Sequence, residues 1–216
     1  LIILYLVTRI LYFFSGGCIL KKVGFVKENY EKNFHLKREN SPYIEALYRW
    51  DAPWYLYIAE NGYKENKDTE EAKKWRDIPF VAGFLPLFPY FIKFFKLFIP
   101  TYEITGIFLS FIFGLCAILS FYFLMKKFLP TSAFLSTLLF MFYPPSIFLS
   151  LPYPEGLFLT LLFLFFLSLE KNFIEGYLLL PLLILTRPQG FYTFFIFPFF
   201  PKKYSAVIVV GASGSY

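Results

Sequence analysis

Long apolar runs separated by short polar turns make up most of this chain, and one extended polar stretch interrupts them near its beginning. Leu1–Leu20 is the first run. As a helix it is long enough to cross a hydrocarbon core of roughly 30 Å, and Arg9 inside it demands a partner or a polar cavity. Residues 21–79 form the polar stretch. Acids and bases alternate there, and Trp50, Trp54 and Trp75 supply apolar anchors, so short helices lying on a membrane surface are expected. Phe80–Pro100 is apolar again but carries Pro86, Pro89, Lys93 and Lys96. The two lysines share one helix face, which predicts an amphipathic interfacial helix over Pro89–Phe98. The prolines of 84–89 are expected to break a helix.

The remaining runs are Ile104–Met125, Thr131–Leu151, Glu155–Leu169, Phe173–Thr186 and Phe191–Pro201. The first two have full spanning length, and the last three are short for a bilayer unless they extend into their flanks. The expected fold is an all-α multi-pass membrane protein with about six or seven spans. It divides into a first transmembrane helix over 1–20, an outer loop with interfacial helices over 21–103, and a transmembrane bundle over 104–216.

Composition agrees with lipid as the solvent. Hydrophobic residues are 57% of the chain and charged residues 17%, against about 25% charge in soluble domains. The net charge of +6 does not point to nucleic acid. Of 21 Lys and Arg, 12 lie between Lys21 and Arg76, and 11 acids from Glu28 to Asp77 nearly neutralise them; no basic stripe with interleaved aromatics forms. The short basic turns are Lys126-Lys127, Lys171 and Lys202-Lys203. The positive-inside rule puts all of them on the cytoplasmic side, leaving Lys21-Lys22, Lys93 and Lys96 on the other side as its exceptions. Cys18 and Cys116 fall in apolar runs with no CxxC spacing, and are read as small buried hydrophobes. His35, the one histidine, sits in a charged loop with no metal-ligand cluster around it. Neither a metal nor a cofactor is expected.

This topology gathers four segments on the non-cytoplasmic face: Arg49-Trp50-Asp51-Ala-Pro-Trp54-Tyr55, Gly83–Pro89, Leu151–Gly156 and Thr186–Gly190. Charged groups at membrane depth are costly and tend to mark function, so Asp51, Glu155 and Arg187 are expected to converge on one site. A carboxylate at the boundary can act as a base towards a hydroxyl. An arginine offers a forked donor suited to phosphate oxygens. No Gly-rich loop of the kind that cradles a soluble nucleotide is present.

Arg49-Trp-Asp51-x-x-Trp-Tyr55-x-x-Ile58-Ala-x-x-Gly62-Tyr63 resembles the first outer loop of the PIG-V family of mannosyltransferases, within the GT-C superfamily. Phe84–Pro89, Pro152-Tyr-Pro-Glu155 and Thr186-Arg-Pro-Gln-Gly190 are similar to that family's later motifs in the same order. Pro154 departs from the pattern, standing where a small hydroxyl residue is expected. Family members are considerably longer, which implies a C-terminally truncated bundle. The resemblance implies a GT-C-like helical bundle with a long helical first outer loop. It also implies transfer of mannose or a related sugar from a polyprenyl (dolichyl) phosphate to a hydroxyl of a glycolipid or glycan, with inversion. Asp51 would be the catalytic base. Arg49, Trp50, Trp54, Tyr55, Glu155, Arg187 and Gln189 would bind substrate. The membrane would be the plasma membrane in a prokaryote and the endoplasmic reticulum in a eukaryote.

Plainer readings stand beside these. Asp51 can pair with Arg49 or cap a surface helix, Glu155 can be a first-turn acid favoured by the helix dipole, and Arg187 can mark a helix end and snorkel. The three aromatics can belong to an interfacial belt. A transporter or flippase, or a non-catalytic relative, remains an alternative for the whole chain. No internal repeat of the kind transporters carry is found.

Overall fold

A computed structural model of the chain describes residues 1–23, 42–48, 50–63, 80–171 and 173–196. Among the described residues every regular element is helical. In chain order they are α1 (Ile2–Val23), α2 (Pro42–Leu47), α3 (Ala52–Asn61), α4 (Leu87–Phe95), α5 (Tyr102–Phe128), α6 (Ala133–Phe142), α7 (Glu155–Lys171), α8 (Phe173–Thr186) and α9 (Tyr192–Ile196). Short 3-10 turns occupy Phe80–Gly83, Pro144–Leu149 and Pro188–Phe191.

The local chemistry explains the boundaries. Helix α5 begins after Thr101, whose hydroxyl accepts the Ile104 N–H at 3.2 Å. Glu103 lies in its first turn and Lys126 and Lys127 in its last, so both ends complement the helix dipole. Its 27 residues make it the longest helix described, about 40 Å at 1.5 Å per residue. A helix is expected over Pro89–Phe98 and is observed slightly earlier, as α4. Pro86 stands at its N-cap, where a missing N–H costs nothing.

The run Thr131–Leu151 is not one span. It is the ten-residue α6, a break at Tyr143, and a 3-10 turn that begins at Pro144-Pro145. Two successive prolines remove two backbone donors and cannot continue an α-helix. Ile2–Ile19 and Tyr102–Phe128 are long and apolar enough to cross a membrane, while the apolar stretches Ala133–Phe142, Glu155–Leu169 and Gly176–Thr186 are shorter.

Helices α5 and α7 run parallel in close contact. Thr160 donates from Oγ1 to the Phe113 carbonyl at 2.9 Å, and the Phe121 and Phe163 rings lie 5.2 Å apart. Gly114 and Gly156 make the approach possible. A Cβ on Gly156 would stand 2.8 Å from the Gly114 nitrogen, backbone against backbone. Helix α8 returns antiparallel along α7, with Gly176 against Phe165 and Leu169. The main core runs through these elements, with Phe88 and Ile92 of α4 and Leu56 of α3 meeting Leu109, Leu157, Phe165 and Leu183.

Arg9 finds its partner in backbone. Its guanidinium is fully buried and donates to the carbonyls of Ser146 (2.7 Å) and Met141 (3.2 Å) and to the Ser150 hydroxyl (3.1 Å). The rings of Tyr5 and Tyr12 lie 4.9 and 5.3 Å from its central carbon. It therefore caps the broken C-terminus of α6, where freed carbonyls and the negative dipole end need a cation. The cysteines divide. Cys116 is half-buried, but Cys18 is exposed on α1, because its face of the helix meets no other described element.

Candidate functional site

The site is built where α3 begins, at the end of the bundle shared by the start of α7 and the end of α8. Trp50 has φ of +50°, a left-handed conformation that costs an L-residue about 1–2 kcal/mol. This kink turns the chain into α3, whose first turn contains Pro53 and whose end is marked by Gly62 at φ +73°. Asp51 occupies the N-cap position with φ −84° and ψ −12°, and its side chain makes no capping hydrogen bond. A capping side chain needs an extended backbone to reach the second or third N–H; the helical angles at Asp51 prevent that. Its carboxylate is exposed. The capping alternative for Asp51 is thereby removed.

The backbone N–H of Asp51 donates to the Tyr153 hydroxyl at 2.9 Å. Two residues further on, Glu155 opens α7 and accepts through Oε1 from Nη1 of Arg187, which directly follows α8. Gln189 Oε1 accepts from the Arg187 Nε at 3.3 Å. The guanidinium is thus held between a carboxylate and an amide, and about a third of the side chain (31%) remains exposed. Glu155 Oε2 is buried without a hydrogen-bond partner, so the carboxylate leans on Arg187 and on a backbone hydrogen bond at its own residue. Glu155 is therefore a first-turn acid and an ion-pair partner at once.

Aromatic rings join these groups. Trp50 meets Phe148 at 6.0 Å, Phe148 meets Tyr153 at 5.4 Å, and Tyr153 meets Tyr55 at 6.0 Å. Tyr55 continues to Phe84 at 5.2 Å, and Phe84 stacks on Trp54 at 6.1 Å. Trp50 is 70% exposed, so one large aromatic side chain at the site stands open. Burial pushes the Tyr55 hydroxyl well above the ordinary tyrosine range; Glu155 and Asp51 reinforce that and Arg187 opposes it. All three charged groups thus act on one tyrosine. Burial likewise raises Tyr153 to about 12, with backbone hydrogen bonds from Asp51 and Ala52 opposing. Both remain neutral phenols at any physiological pH.

The structure therefore brings together Asp51, Trp50, Tyr55, Glu155, Arg187 and Gln189, with Trp54 on the outer side of Phe84. Arg49, His35, Trp75 and Lys202-Lys203 lie outside the described residues. Sequence reasoning missed Tyr153, Phe148 and Phe84 as parts of the site. Tyr153 stood inside the Pro-Tyr-Pro-Glu segment, and its place between two prolines was the available signal. No metal-ligand cluster of His, Cys, Asp or Glu occurs among the described residues. No protein-family model matches this chain, and neither a curated protein nor a solved structure matches it significantly.

Proposed function

We propose that this chain is a multi-pass membrane glycosyltransferase of GT-C type, similar to the PIG-V mannosyltransferases. It moves mannose or a related sugar from a polyprenyl phosphate to an acceptor hydroxyl on the non-cytoplasmic face. The observation that carries this reading is that an exposed Asp51 carboxylate making no cap bond and an Arg187 guanidinium fixed by Glu155 and Gln189 both act on Tyr55, at one end of an apolar bundle.

Each part has a role in the reaction. The acceptor hydroxyl attacks the anomeric carbon while Asp51 takes its proton. The bond from that carbon to the phosphate oxygen breaks, and polyprenyl phosphate leaves with the electron pair. Arg187 stabilises the growing charge on that phosphate through its free N–H groups. Attack from the face opposite the leaving group inverts the anomeric centre. Trp50 offers a flat apolar face on which a sugar ring can stack, and Trp54, Tyr55 and Arg49 complete the substrate-binding set.

A lipid setting is supported by the helices themselves. In the apolar window of α1 only 22% of residues are buried, and in that of α5 39%, whereas the core helix of a soluble protein would be mostly buried. Ile3, Leu11, Leu139 and Leu178 each stand more than 60% exposed, a surface suited to acyl chains rather than water. The membrane is the plasma membrane in a prokaryotic source and the endoplasmic reticulum in a eukaryotic one.

The test is to supply membranes containing this chain with polyprenyl phosphate carrying labelled mannose. Label should pass to glycolipid or glycan, with free polyprenyl phosphate appearing in step. Label taken directly from a soluble nucleotide sugar, or no chain-dependent transfer from any polyprenyl donor, would contradict the proposal.

A further inference from the structure

The turn Leu151–Pro154 links the two halves of the site. Glu155 holds Arg187, and Tyr153, two residues earlier, holds the Trp50–Asp51 kink on two sides. Its hydroxyl accepts the Asp51 N–H at 2.9 Å, and its ring packs edge-on against Phe148, which also meets Trp50. Tyr153 is itself 5% exposed, between Tyr55 and Phe148. The left-handed φ at Trp50 is a conformation that L side chains rarely adopt, and the Tyr153 hydroxyl binds the N–H of the peptide immediately after it. Without that kink Asp51 would be free to adopt an extended backbone and turn its carboxylate onto the N–H groups of α3 as an ordinary helix cap.

We propose that Tyr153 is a positioning residue that keeps the Asp51 carboxylate out of the helix cap and directed at substrate. The rigid Tyr153-Pro154-Glu155 segment thereby fixes the spacing between the base and the phosphate-binding arginine. This inference rests on the transferase reading for its catalytic consequence, but the hold on Asp51 is independent of it. Pro154, the position at which the chain departs from the PIG-V pattern, has a role here: its fixed φ stiffens the link between the two tethers.

The experiment uses Tyr153→Phe, which keeps the ring packing and deletes only the acceptor oxygen. In the full chain in lipid nanodiscs, hydrogen exchange at the Asp51 amide should speed up at least tenfold. Sugar transfer should lose about tenfold in kcat, with the donor KM changed less than twofold, since a misplaced base costs rate and not donor affinity. Glu155→Gln should show the opposite split, raising the donor KM more than it lowers kcat. Unchanged exchange in Tyr153→Phe would overturn the hold on Asp51. Faster exchange with unchanged kcat would overturn its catalytic consequence. No transfer by the unsubstituted chain would remove the transferase reading, and the exchange measurement would still decide whether Tyr153 restrains Asp51.

Discussion

Glu155 and Arg187 form an ion pair that ties the first residue of α7 to the residue after α8. The two helices are antiparallel neighbours, so the pair closes the end of a helical hairpin. Both side chains are mostly but not fully buried, at 21% and 31% exposure. Its worth lies between the near-zero value of a surface pair and the penalty for orphaning a buried charge. Glu155→Ala should destabilise the protein by about 2 kcal/mol. Glu155→Gln with Arg187→Gln should recover part of that, because neither partner is then left as an unmatched charge. Thermal unfolding in one detergent compares all three; equal losses in the single and double variants would count against the pair.

Arg9 offers a second prediction. Its hydrogen bonds end on backbone carbonyls and serine hydroxyls, and no carboxylate accepts from it among the described residues. Arg9→Lys keeps the charge but loses the fork that reaches Met141 and Ser146 together. It should therefore behave almost as badly as Arg9→Met, each costing about 2–3 kcal/mol. A lysine variant as stable as the native chain would show that charge alone, and not the guanidinium geometry, satisfies the broken end of α6.

A third concerns the approach of α5 and α7. Gly156→Ala places a methyl group against the backbone of Phe113 and Gly114, where no flexible side chain can give way. Overpacking of this kind costs about 1–3 kcal/mol. It should also lower sugar transfer, since the shift of α7 carries Glu155, and with it Arg187, away from Asp51. Full stability and full transfer in Gly156→Ala would mean that the helices separate without consequence.

Much of this arrangement was legible in the sequence because apolar run length and short charged turns survive folding unchanged. The α5 run, the α4 helix with its two lysines, and the meeting of Glu155 with Arg187 follow from pattern and alternation. The divided Thr131–Leu151 run was misread because its hydrophobicity is continuous. Pro144-Pro145 carried the break, and the partner of Arg9 became visible only once that break exposed carbonyls. Its place between two prolines singles out Tyr153, but not its role, because its contribution is a hydrogen bond to backbone 102 residues away in sequence. Cys18 was expected inside by composition, yet burial depends on which face of α1 meets a neighbour. The multi-pass topology and the chemistry stay with the proposal, on the strength of charge pattern, motif resemblance and site geometry together.

The most direct measurement compares sugar transfer from labelled polyprenyl-phosphate mannose by the unsubstituted chain and by Asp51→Asn in the same membranes. The amide keeps size and polarity but cannot take a proton, so the account predicts a fall of about 10²–10⁴-fold in rate with donor binding retained. Transfer at the native rate by Asp51→Asn would contradict the assignment of the base and the mechanism built on it.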